Sequence, residues 1–177
     1  MGYNRAMTIT RSMRRVGEAR IKRLAHELLD ASTLCAIATV SPRDRAHVNT
    51  AYFAWAPDLR LVWLSAPAAR HSRNLRANPS AAVAVYDSGQ MWGKPDRGIQ
   101  LFGSVREDGT DAEAVYASRF ADYRPSDLVG YRFYELLPNR LKLFDERALA
   151  AGTFVTARVR AGGRLTWERT EIYDSTS

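Results

Sequence analysis

Cysteine is almost absent from this sequence of 177 residues. Cys35 stands alone, which excludes an intramolecular disulfide framework and a cysteine-rich metal site. Lysine is scarce as well, with three residues against 23 arginines, a bias that points to a GC-rich genome rather than a chemical need. Only three histidines occur, His26, His47 and His71, and without clustered carboxylates they make a poor metal site. No apolar run nears the roughly 20 residues that span a bilayer. No apolar stretch of about 7–15 residues follows the basic N-terminus, so no secretory signal is expected and a cytoplasmic protein is the default. No glycine-rich phosphate loop opens a helix, which argues against P-loop and dinucleotide folds. A glycine-flanked nucleophilic serine is also missing, and Cys35 lies in an apolar stretch where a thiol is packing, not a nucleophile.

What is present is globular: 46% hydrophobic and 25% charged residues. The length suits one domain with a real core. The net charge of +7 is local, because residues 1–24 hold seven basic groups against Glu18 alone. A nucleic-acid surface should be spread over the fold, so nucleic acid is not an expected partner. Residues 1–14 lack periodicity and read as a loose basic arm, leaving 15–177 as a single domain.

Within that domain the period changes along the chain. Val16, Ile21, Leu24, Leu28 and Leu29 recur at helical spacing over 15–31. Apolar runs over 34–40, 48–55 and 59–65, separated by the turn chemistry of Pro42 and Pro57, predict an antiparallel meander. A short arginine-rich helix is expected over 67–78, ended by Asn78-Pro79. Strands follow at 81–86 and 99–106, then a helix at 111–123 with Thr110 as N-cap. A strand or strand pair over 133–145 and a closing hairpin over 153–173 complete the chain. About eight strands on short turns, with three helices, predict a mainly β fold with flanking helices, a closed or partly closed barrel.

One stretch is chemically unusual. Ser65-Ala66-Pro67-Ala68-Ala69-Arg70-His71-Ser72-Arg73-Asn74 puts hydroxyls, arginines and a histidine at the start of a short helix. Helix N-termini offer free N–H groups and a positive dipole end, so with arginine nearby this reads as a phosphate site or as a solvated basic helix.

The order of pieces then becomes specific: Leu34–Val40, a polar turn, His47-Val48-Asn49-Thr50-Ala51-Tyr52-Phe53, Leu61–Ser65, Arg70–Pro79, Ala81–Tyr86 and Gly98–Val105. Over residues 20–145 this resembles the pyridoxamine 5′-phosphate oxidase-like family of FMN-binding split barrels. The resemblance implies a homodimer with the cofactor at the interface. It implies flavin contacts from His47, Val48, Asn49, Thr50, Ala51 and Tyr52, from Leu64 and Ser65, from Gly98 and Gln100, and from an aromatic at Phe144. Arg70 and His71 fall on the pair that grips the flavin phosphate. Where the family's oxidases have lysine, this sequence has His71, and their C-terminal arginine signature is not recognisable. The resemblance therefore implies an FMN-dependent oxidoreductase acting on a small molecule, but no vitamin B6 substrate. A deazaflavin in place of FMN and a non-catalytic barrel holding flavin or haem are the alternatives.

Overall fold

The computed structural model describes residues 7–124 and 129–175. Among them are nine strands and three helices: β1 (Met7–Ser12), α1 (Glu18–Asp30), β2 (Leu34–Val40), β3 (Ala46–Trp55), β4 (Leu61–Ser65), α2 (Arg70–Ala77), β5 (Ser80–Tyr86), β6 (Arg97–Glu107), α3 (Ala112–Arg119), β7 (Arg132–Asp145), β8 (Thr153–Arg160) and β9 (Arg164–Ser175). Strands β7-β4-β3-β2-β5-β6 close into a six-stranded barrel, because β6 also pairs with β7. Every pairing is antiparallel. Strands β8, β9 and β1 continue the sheet outward from β7.

The length of β7 makes this possible. Arg132–Leu136 pair with β4, Arg140–Phe144 pair with β8, and both halves pair with β6. Pro138 has no N–H to give and sits where the register with β6 shifts, between Phe102 and Gly103. A Cβ on Gly103 would stand 2.1 Å from the Leu137 carbonyl oxygen, so only glycine allows this close approach. The expected strand or strand pair over 133–145 is thus one strand with an irregularity.

Period-two burial fills the barrel. Cys35, Ile37 and Thr39 of β2 point in, with Phe53, Trp63, Val83, Ile99, Leu101, Leu141 and Leu143 from the other strands. Helix α1 lays Ile21, Leu24, Leu28 and Leu29, all buried, against this core. Each such side chain contributes about 1.5–3 kcal/mol on burial.

Two expectations fail. Residues 7–12 are not part of a loose arm: they form an edge strand paired with β9, from Met7 opposite Ser175 to Ser12 opposite Thr170. Residues 1–6 of the predicted arm lie outside the described residues. Thr110 does not cap α3 either. Asp111 holds the N-cap position and makes no cap bond, because both its carboxylate oxygens accept from Arg60, each at 2.8 Å.

Candidate cofactor site

Strand β4 ends in Ser65, which is buried, and a four-residue turn leads into α2. Ala69 at the N-cap has no side-chain oxygen, so no side chain caps the first turn. Two bonds fix the helix on the barrel. Ser72 Oγ donates to the Ala66 carbonyl at 2.9 Å, and Asn74 Nδ2 donates to Thr39 Oγ1 at 3.0 Å, both side chains being buried. Thr39 faces His47 across the β2–β3 register, so the helix is pinned beside His47.

At its start, Arg70 is exposed and His71 is 8% exposed. The His71 ring meets Tyr134 edge-on, with centroids 6.4 Å apart. Its Nε2 has no hydrogen-bond partner among the described residues. Burial, and then the nearby His47, push its pKa below the usual 6.5, so the free imidazole is neutral at pH 7. A buried polar atom without a partner is costly, and a ligand supplying one would remove that cost.

Strand β3 divides the predicted flavin-contacting stretch between two faces. His47, Asn49 and Ala51 are half-buried, whereas Val48, Thr50 and Tyr52 are exposed. Asn49 Oδ1 is a second buried atom without a partner. Tyr52 touches Phe120 edge-on at 6.0 Å, and Leu64 packs in the apolar cluster under α3. Leu64 is therefore tied to α3, while Ser65 lies at the mouth with α2.

Gly98, Gln100 and Phe144 form a separate group. Gly98 pairs with Phe144 across β6–β7, and a Cβ there would lie 2.8 Å from the Phe144 ring, so the ring rests directly on the glycine. Gln100 is exposed two residues on. Between the groups run β2 and β5, so three strand spacings, about 14 Å of curved sheet, separate β3 from β6. The surface between is a shallow apolar groove of Ala36, Ala38, Ala82, Ala84, Val48 and Phe102, ending at Gln100. Within one chain the two groups do not converge.

Two features carried no warning in the sequence. Lys142, opposite Gln100, holds its ammonium over the rings of Phe154 and Tyr173. Glu135, fully buried, is bound by both Arg60 and Arg106. Only the rarity of lysine could have drawn attention to Lys142.

The residues at the α2 mouth fit a phosphate. An uncapped helix start, an exposed guanidinium and an orphaned imidazole nitrogen are all donors or become donors on protonation. The small, exposed Thr50 and the alanines beyond it leave room for a flat ring. The closed six-stranded antiparallel barrel with its flanking helices is a split-barrel fold. A family model described as pyridoxamine 5′-phosphate oxidase matches residues 21–145, and the chain belongs to that family. Solved structures agree on the fold. The heme binding protein from Mycobacterium smegmatis is 16% identical with a TM-score of 0.63, covering 85% of this chain and 62% of that one. A putative pyridoxamine 5′-phosphate oxidase from Listeria innocua is 16% identical with a TM-score of 0.58, covering 70% and 98%. A structure named F420 reductase is 24% identical with a TM-score of 0.52, covering 66% and 94%. No curated protein gives a significant sequence match. At these identities the structures speak for the fold alone.

Proposed function

We propose that the chain is an FMN-dependent oxidoreductase that works as a homodimer on a small-molecule substrate. The observation that carries this reading is the partnerless Nε2 of buried His71 at the uncapped start of α2, beside exposed Arg70. Arg70 binds the phosphate, in bidentate fashion where its fork allows. His71, protonated on binding, donates from Nε2. Asn49 Oδ1, buried and partnerless, lies on the inward face of β3 with His47. Thr50, small and on the outward face of β3, leaves room for the ring there. The flavin, when bound, supplies the hydride chemistry.

The 14 Å gap supports a dimeric site. The apolar groove between the two residue groups suits a second copy, which would complete each site. Each site then takes its phosphate grip from one chain and its ring contacts from both.

One observation favours a second reading. A neutral, partnerless imidazole nitrogen also suits haem iron, and the M. smegmatis heme binding protein shares this fold. The experiment is a parallel titration of the purified chain with FMN, riboflavin, a deazaflavin and haem, followed by reduction of the bound species with NADPH. Tight FMN binding, weak riboflavin binding and reducible flavin are expected. Deazaflavin binding in place of FMN would change the cofactor and keep the site. Exclusive haem binding would overturn the enzyme reading in favour of a carrier.

A further inference from the structure

Next to Phe144, on the outer face of β7–β9, lies a cavity of about 430 Å³. Its wall is aromatic: Phe144 and Phe154 stand 5.1 Å apart between centroids, and Phe154 and Tyr173 stand 4.6 Å apart. Gly152 lets the backbone close the wall, because a Cβ there would sit 2.5 Å from the Tyr173 carbonyl oxygen. The rim carries Asp96 and Glu146. The Glu146 carboxylate is fixed by the backbone N–H groups of Gly152 at 2.8 Å and Asp96 at 3.1 Å. Among the described residues neither carboxylate has a cationic partner. The ring faces already hold one cation, since Lys142 Nζ lies 4.8 Å from the Phe154 centroid and 5.6 Å from that of Tyr173. Glu171, at 3.1 Å, pairs with that ammonium and also with Arg169, and Arg97 pairs with Asp145 at 3.1 Å. The two carboxylates at the mouth, Asp96 and Glu146, thus stand without a cationic partner among the described residues, above electron-rich rings.

We propose that this cavity binds a planar aromatic cation, its ring against Phe144, Phe154 and Tyr173 and its charge towards Asp96 and Glu146. An anionic ring is excluded by the same carboxylates. As a subsite of the reaction the cavity rests on the cofactor reading, through the Phe144 ring that covers Gly98. As a binding site it stands alone.

Three probes of one shape separate charge from stacking: benzamidinium, benzamide and benzoate. Titrated into the chain without cofactor and followed by NMR shifts of the cavity residues, benzamidinium should bind at least tenfold more tightly than benzamide, with benzoate weakest. Asp96→Asn, at an exposed position, should narrow the gap between benzamidinium and benzamide severalfold. Phe154→Leu should weaken all three. No binding at millimolar concentration, equal binding of the three, or an unchanged gap in Asp96→Asn would overturn the proposal. Should the probes fail while FMN binds normally, the cavity proposal falls and the cofactor reading stands. Should FMN fail while the probe order holds, only the cofactor reading falls.

Discussion

Arg70 and His71 divide one task by charge. Arg70 is permanently cationic, and a hydrogen bond to a charged group is worth roughly 1.5–3 kcal/mol. Arg70→Ala should therefore weaken FMN binding about tenfold to a hundredfold while leaving riboflavin binding unchanged, as measured by titration. His71 starts from a pKa depressed by burial and by His47. A bound phosphate raises it, so its contribution to affinity is full below the free value and fades as pH rises through the bound value. FMN affinity should thus fall from pH 6 towards pH 9, with phosphate protonation near pH 6 blunting the acid side. His71→Lys should flatten that profile. A pH-independent affinity in the parent, together with an Arg70→Ala variant that binds equally well, would put the phosphate elsewhere. At this scale the basic pair is legible in the sequence, but the lost hydrogen-bond partner of His71 is not, because it depends on Tyr134 arriving from β7.

Helix α3 shows how an element is held. Arg60 joins Asp111 of its N-cap to the buried Glu135, with Arg106 on the other carboxylate oxygen. At the other end Arg119 donates to the carbonyls of Leu29, Ser32 and Phe53. Removing one member of a buried ion pair typically costs 3–5 kcal/mol. Glu135→Ala should cost about 3 kcal/mol, the low end, because Arg106 is half-exposed and can turn to water; denaturant melting checks this. The bond from Arg60 holds Asp111 down at about 2. The sign is that of a depressed acid: its contribution is full above the unfolded value near 4 and is lost as pH falls through about 2. Tyr116 and Tyr123 of the α3 cluster should report that loosening by NMR. Strand β1 gives a second test. Because it pairs with β9 along Met7–Ser12, deleting residues 1–12 should cost about 1–3 kcal/mol of stability, a few backbone hydrogen bonds' worth, rather than nothing. An unchanged melting temperature would mean that the pairing contributes nothing in solution.

At the scale of the whole molecule the barrel leaves a face unfinished. Val48 is 61% exposed and Tyr52 59%, beside a row of alanines with no charge among them. Monomers rarely leave contiguous apolar surface open without use. A dimer burying about 1,600 Å² or more in total should be found by native mass spectrometry at micromolar concentration. Val48→Arg should split it and lower FMN affinity with it, because the proposed site draws on both chains. A strict monomer that binds FMN tightly would overturn the composite site.

The sequence by itself determined the elements. Period-two burial from Cys35 to Thr39 and helical spacing from Ile21 to Leu29 are local consequences of backbone geometry, so β2 and α1 are readable without contacts. The turns at Pro42 and Pro57 determined the meander in the same local way. Tertiary structure alone decided the rest. β1 reads as coil because its partner, β9, lies more than 150 residues away, and an edge strand needs no strong pattern of its own. β7 reads as either one strand or a pair because Pro138 breaks the local signal, and pairing with β6 across the close approach at Gly103 makes it one strand. The candidate site follows the same division. Its residue types stand in the motif, but strand alternation sends Val48, Thr50 and Tyr52 away from His71, and the barrel puts Gly98 and Gln100 of β6 three strand spacings, about 14 Å, from β3. Which side chains meet is a matter of register and curvature, and these are set only when distant strands pair.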